Sequence, residues 1–231
     1  MRVNLKKRSV EAEVMDDFSL PSAEIDPVLQ GLAKVNGWFG AHQTLIKALK
    51  AFPVKANNHV SDWGCGGGDT LVAWAKWSAK NRLHLQLTGI DAAPAAIKYA
   101  RLNSPGYAIN YIQANVLSDE LTPGQFDLVC SGLFSHHFAD EEWVLLIQKM
   151  NSCARRGVIL TDLHRHWLLY YAVVFITRVL TRNKMVRIDG PLSVKRAFKK
   201  ADLLALLKKA QINNYKLTWV WPFRWLLVIY K

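Results

Sequence analysis

Gly64, Gly66 and Gly68 alternate through Asp62-Trp63-Gly64-Cys65-Gly66-Gly67-Gly68-Asp69, between a strand-like run ending near Val60 and a helical run opening at Thr70. Glycines serve where the backbone takes positive φ or must admit a ligand without a Cβ in the way. A helix start just beyond presents unpaired N–H groups to a polar ligand. The loop therefore reads as a cofactor cradle. Asp91 closes the next strand-like run, His84 to Asp91. An acid there can accept both hydroxyls of a ribose, or it can cap the helix that follows. Two further groups could do acid–base chemistry. His136 and His137 lie in Ser131-Gly132-Leu133-Phe134-Ser135-His136-His137-Phe138. A neutral imidazole is a good base for a phenol or enol near neutral pH. Adjacent side chains point apart, so at most one of the pair should face a substrate, with His136 preferred; the alternative is a histidine that caps or supports the site from behind. The second group is Asp162-Leu163-His164-Arg165-His166. Asp162 could orient His164 or His136 as a carboxylate orients a base. The spacing is not that of a metal site, and no metal is expected.

Three cofactors compete for the loop. A phosphate loop ends in Gly-Lys-Ser/Thr, whereas Gly68 is followed by Asp69-Thr70. A dinucleotide fingerprint counted from Gly64 needs a third glycine where Asp69 stands, and a carboxylate near a pyrophosphate is unfavourable. The pattern that remains is acid-x-Gly-x-Gly-x-Gly, met by Asp62, Gly64, Gly66 and Gly68. It suits a cofactor with no phosphate and with positive charge.

These residues need elements to hold them. Ser22 reads as an N-cap, with helical spacing in Val28, Leu29, Leu32 and Val35. Gly37 and Gly40 break it, a second helix covers about Ala41 to Ala51, and Pro53 ends that. Strand and helix then alternate. Strands are expected near Val60, over Leu83–Ile90, Ala108–Ile112, Phe126–Cys130 and Gly157–Thr161. Helices are expected over Thr70–Ala79, after Pro94, and over Asp140–Asn151. This order predicts a doubly wound, mostly parallel sheet. A last helix over Lys199–Ala210 precedes two β-rich runs, Tyr215–Trp221 and Arg224–Tyr230.

The chain has 231 residues, 51% of them apolar, enough for one large α/β domain with additions. Three cysteines, Cys65, Cys130 and Cys153, lack metal-like spacing, and no apolar run follows the basic start. Both features fit the cytoplasm. Residues 163–231 hold 14 basic and 2 acidic residues, which accounts for the whole net charge of +12. Such a region attracts nucleic acid, anionic lipid or an acidic substrate. Residues 166–177 carry no acidic or basic side chain but His166. Twelve helical residues span about 18 Å, short of a bilayer core of about 30 Å. The run is therefore buried, lines an apolar pocket, or touches a membrane surface. Arg178, Arg182, Lys184 and Arg187 follow at once, which favours peripheral contact with anionic lipid at the inner face of the membrane.

The loop, Asp91, the edge after the fourth strand and the closing strands resemble class I methyltransferases that use S-adenosylmethionine (SAM). More narrowly, the chain resembles small bacterial methyltransferases related to the quinone-biosynthesis methylases. The narrower likeness rests on Met15-Asp16-Asp17, Asn36, Gly40 and His42, on the His-His edge, and on Asp162 to Arg165 with Asp189 to Ser193. The resemblance implies a Rossmann-like domain over residues 55–231 with a seven-stranded sheet, a helical cap over 1–54, and a substrate lid over 163–198. It implies that Asp62, Gly64, Cys65, Gly66 and Gly68 hold the methionine part of SAM. Asp91 and Ala92 would take the ribose, Asn115 and Val116 the adenine, and Ser131 would complete the set. His136, His137, Asp162 and His164 would be catalytic. The implied acceptor is a small apolar phenol, quinol or polyketide-type lipid, methylated on oxygen. Two alternatives stand beside it: an RNA methyltransferase using the basic C-terminal region, and a SAM-binding protein without catalysis. Nucleic acid is disfavoured because the aromatics sit in β-like or apolar runs, where a core or lipid would claim them.

Overall fold

The computed structural model describes residues 3–231. Its sheet has seven strands in the order β3-β2-β1-β4-β5-β7-β6. These are β1 (His59–Trp63), β2 (Gln86–Asp91), β3 (Ile109–Gln113), β4 (Phe126–Gly132), β5 (Ala154–Leu163), β6 (Tyr215–Val220) and β7 (Arg224–Tyr230). The first five pair in parallel, and β7 runs antiparallel between β5 and β6. The order reverses at β1, so the carboxyl ends of β1 and β4 border the crevice where such sheets bind ligands. The order and the closing antiparallel pair at the edge are those that the resemblance implies.

Helices cover both faces: α1 (Ser22–Trp38), α2 (Ala41–Leu49), α3 (Asp69–Lys80), α4 (Pro94–Asn103), α5 (Asp140–Cys153), α6 (Trp167–Leu180), α7 (Lys184–Arg196) and α8 (Lys200–Lys209). The central strands are buried on both sides, and they bury polar residues such as Ser61, Asp62, Thr88 and Ser131 along with the apolar ones. One core layer joins α5 and α8 to the sheet through Trp143, Leu146, Leu203 and Leu207. The other joins α2, α3 and α4 to it through Leu45, Leu71, Trp74 and Ile97.

Three helices show features that bear on the sequence expectation. Ser22 is the first residue of α1 rather than its cap, and α1 runs through Gly37 to Trp38. The Asp189-Gly190-Pro191 run lies inside α7. Gly190 is needed there for packing: a Cβ would stand 3.1 Å from Val173 and 3.2 Å from Thr177 of α6. Finally, α6 packs one face on α7 but buries little of the rest, so it is not a core helix.

Candidate active site

The glycine loop leaves β1 and turns into α3. Gly64 and Cys65 both donate their N–H to Ile90 O of β2, which fixes the loop against that strand. Gly64 has φ +70°, and a Cβ there would stand 2.1 Å from the Phe134 ring. That position excludes every other residue. Gly66 is open instead: its φ is +50° and a Cβ would meet only Leu29, at 3.6 Å.

Two acids flank the loop. Asp62 is buried, and its Oδ1 has no hydrogen-bond partner among the described residues. Burial pushes its carboxyl well above the usual carboxylate range, and the charges of Asp69 and Asp91 push the same way. Asp91 Oδ2 accepts from Gly66 N at 2.8 Å, and Oδ1 accepts from Ala93 N at 2.9 Å. Its pKa is raised by burial, against the pull of those N–H groups and of His137 nearby.

A third acid anchors the cap. Asp69 Oδ2 accepts from Asn36 Nδ2 at 3.1 Å and lies 2.7 Å from His42 Nε2. The first turn of α3 is thereby tied to α1 and α2. Burial alone would raise the Asp69 pKa, but the hydrogen bonds and charge of His42 and Asn36 hold it below the usual range.

The remaining cofactor candidates divide. Cys65 is buried, and burial drives its thiol well above the usual range, so it packs under the loop and is no nucleophile. Ala92 stands beside Asp91 and offers its backbone N–H to that carboxylate. Asn115 is exposed beyond β3, and its Oδ1 accepts from Leu117 N at 3.0 Å, which leaves its amide N–H free. Val116 and Ser131 turn their side chains inward, which leaves only their backbone to face a ligand. The Val116 side chain is buried in the core layer under α5. Ser131 Oγ donates to Trp63 O at 2.8 Å, stitching β4 to β1, and is fully buried.

Past the end of β4, Ser135–His137 form a single 3-10 turn. Two imidazoles stack there with centroids 4.4 Å apart. His136 Nδ1 lies 2.7 Å from Asp162 Oδ1. His137 Nδ1 lies 2.6 Å from Asp16 Oδ1. Both carboxyls are held below the usual range. In each, the partner histidine's hydrogen bond and charge outweigh the opposing effect of burial. The Nδ1 of each ring faces a carboxylate oxygen and so serves as the donor, which turns each Nε2 away from that carboxylate. The Nε2 of His136 is 3.6 Å from Glu13 Oε1, and both groups are buried. His137 is the more open of the two, and its ring lies 6.2 Å from Phe134, the ring that covers Gly64.

Residues from three distant segments close this cluster. Glu13 Oε1 accepts from Ser193 Oγ at 2.9 Å. Asp189 accepts from Val14 N and Met15 N at 2.9 and 3.1 Å. Arg196 donates to the carbonyls of Glu11, His136 and His137. The N-terminal segment is thus a docked strap, held by α7 and the β4 edge. Sequence reasoning gave Glu13 no role, because nothing in its local spacing marks it.

His164 does not join His136. It accepts from Trp219 Nε1 at 3.2 Å, and its ring lies tilted against His166 and Phe223 and edge-on to Trp225. The Asp162–His166 run is thereby split between two surroundings. Among the described residues, the grouping with ligand spacing for a metal is instead Glu13, His136 and His137, whose ligand atoms lie within 4.8 Å of one another.

The residues at the loop fit SAM. The lone Asp62 oxygen matches an ammonium, the open Gly66 matches close approach, and Asp91 retains lone pairs for ribose hydroxyls.

Residues 60–157 match a family model described as a methyltransferase domain. No curated protein matches the chain. Among solved structures, the plantazolicin methyltransferase BpumL in complex with SAH is 18% identical at a TM-score of 0.68, over 93% of this chain and 92% of that one. The magnesium protoporphyrin IX methyltransferase of Synechocystis PCC 6803 with bound SAH is 18% identical at a TM-score of 0.58, over 84% of each chain. A Nostoc punctiforme structure assigned as an O-methyltransferase is 17% identical at a TM-score of 0.63, and this chain spans 60% of its length. At these identities the likeness shows the fold, while the family match covers the loop, Asp91 and the β4 edge. The chain therefore carries, over residues 60–157, a match to a methyltransferase domain, set in the fold that it shares with methyltransferases solved with SAH.

Proposed function

We propose that the protein methylates a hydroxyl oxygen of a small apolar acceptor of the phenol or quinol type. One observation carries the reading: two imidazoles, each oriented by its own carboxylate, sit at the carboxyl end of β4 beside the cofactor loop. Methyl transfer to oxygen needs a proton acceptor at that place, whereas transfer to a thioether or a ready carbanion does not.

SAM supplies an electrophilic methyl whose bond to sulfur breaks as the acceptor attacks. The acceptor oxygen forms the new C–O bond and gives its proton to an imidazole Nε2. His137 is the better placed base, since His136 is enclosed and its Nε2 faces Glu13. Asp16 fixes the His137 tautomer and stabilises the imidazolium that forms. Asp162, His136 and Glu13 form the wall behind it and act as positioning residues. Phe134 and Phe138, edge to face at 5.0 Å, offer an apolar contact for an aromatic acceptor.

The test is incubation of the full chain with SAM and a series of alkyl phenols, quinols and catechols, followed by mass spectrometry and NMR of the products. Methyl ethers that disappear with His137→Ala support oxygen transfer. C-methyl products, or methylated RNA and no small-molecule product, would overturn it.

A further inference from the structure

We infer that α6 and the tip of the β6–β7 hairpin form one surface that docks on an anionic membrane. This surface goes beyond the acceptor reading and stands whether or not that reading holds.

The first observation is an uncovered apolar stripe. Trp167, Leu168, Tyr171, Phe175 and Val179 of α6 are all exposed, Phe175 by 68% and Val179 by 63%. At 100° per residue they span a face about 120° wide. The opposite face carries Val173 and Thr177 and packs on Gly190 of α7, so the stripe is held outward by a fixed contact. Soluble proteins seldom leave so continuous an apolar face uncovered.

Aromatic rings continue the stripe. Trp167 stacks on His166 at 5.8 Å, and His166 stacks on Phe223 at 5.1 Å. Phe223 in turn lies 5.8 Å from Trp221 and 6.2 Å from Trp219. Trp221 is 71% exposed. The hairpin is tied to the end of α1 by Arg224 Nη1, which donates to Phe39 O at 2.7 Å, and Trp38 beside it is exposed. Tryptophan and tyrosine at the rim of an apolar face suit the boundary between lipid headgroups and acyl chains.

Charge selects the occupant. Arg178, Arg182, Lys184 and Arg187 are exposed at the far end of α6 and the start of α7. No acidic residue lies between Leu163 and Ile188. A second copy of the chain would bring the same cations together, which repel. Nucleic acid would match the charge but has no use for Leu168, Phe175 and Val179. A bilayer with anionic headgroups satisfies both halves. Contact is peripheral: α6 has 14 residues, and among the described residues no helix is long and apolar enough to cross a membrane. Because α6 packs on α7, and α7 packs on the Ser135–His137 turn, the surface adjoins the site and suits an acceptor dissolved in lipid.

The full chain is mixed with vesicles of phosphatidylcholine alone, and of phosphatidylcholine with phosphatidylglycerol, and bound protein is measured by flotation. Binding to the anionic vesicles and little to the neutral ones is expected. Phe175→Ser with Trp221→Ser should weaken it by at least about tenfold, the loss from removing buried aromatic surface. Arg178→Gln with Lys184→Gln should weaken it in a salt-dependent way. Thermal melting and SAM binding of the variants serve as folding controls. No flotation with either vesicle by folded protein overturns the inference. So does concentration-dependent dimerisation abolished by the aromatic variants without vesicle binding, and so does salt-sensitive RNA retention in its place.

Discussion

His136 Nδ1 stands 2.7 Å from Asp162 Oδ1, with both side chains buried. The same carboxylate accepts from Ser135 Oγ and His136 N through Oδ2, and from Leu163 N through Oδ1. Asp162 therefore joins the end of β5 to the turn after β4 and fixes the place of both histidines. An asparagine keeps the shape but cannot accept on both arms, which leaves a buried donor unpaired. Asp162→Asn should lower stability by about 3 kcal/mol. Chemical unfolding monitored by tryptophan fluorescence checks this. An unchanged midpoint would mean the turn is held by other contacts.

Removal of the base should affect rate and not cofactor affinity. His137→Ala is expected to cut turnover by about a hundredfold or more, the usual contribution of a positioned base. His136→Ala should cost less rate and more stability, because it breaks the link to Asp162. Since the proton goes to an imidazole, chelators should leave the rate unchanged. Loss of activity in EDTA, restored by a divalent ion, would instead assign Glu13, His136 and His137 as ligands.

Two buried acids set opposite pH trends in stability. Glu13 has its pKa raised to about 7 from 4.5, chiefly by burial, with Asp16 and Asp189 adding to it against His137 and Ser193. The folded state then holds a proton that the unfolded state has released. Its contribution is present below the unfolded value and is lost as pH rises through about 7. Glu13→Gln should flatten that decline, by at most about 3 kcal/mol. Asp69 is depressed below 3.8 and behaves oppositely. Its contribution is present at neutral pH and is lost as pH falls through the folded pKa, so Asp69→Asn should remove the acid-side loss. Unfolding curves from about pH 2 to 9 on the three proteins test both signs, and identical pH profiles would contradict them.

Gly64 admits no side chain, because φ is +70° and the Phe134 ring fills the space. Gly64→Ala should abolish SAM binding and lower the melting temperature. Adding Phe134→Leu should recover stability in part, since the ring clash goes but the backbone strain stays. No recovery would mean that strain alone sets the cost.

Most of the fold was legible because its signals are local. Strand and helix alternate with clear spacing from Val60 to Thr161, and the loop glycines and Asp91 fall in two short runs. The cluster around Glu13 was not, because its parts come from the N-terminal strap, the β4 edge and α7, which meet only after folding. The burial of the Val116 and Ser131 side chains was not legible, because a position beside a strand end says nothing of which way the side chain turns. The apolar run of α6 was read correctly as a helix too short to span a bilayer. Its exposure depended on packing that Gly190, far along the chain, makes one-sided.

The most direct measurement is calorimetric titration of the folded full chain with SAM, beside Asp91→Ala and with NADH as a control. The wild-type chain should bind SAM at one site and ignore NADH, and Asp91→Ala should bind SAM at least about tenfold more weakly, as loss of a charged hydrogen-bonding partner predicts. No SAM binding by well-folded protein, or SAM binding indifferent to Asp91, would contradict the assignment of the cofactor site.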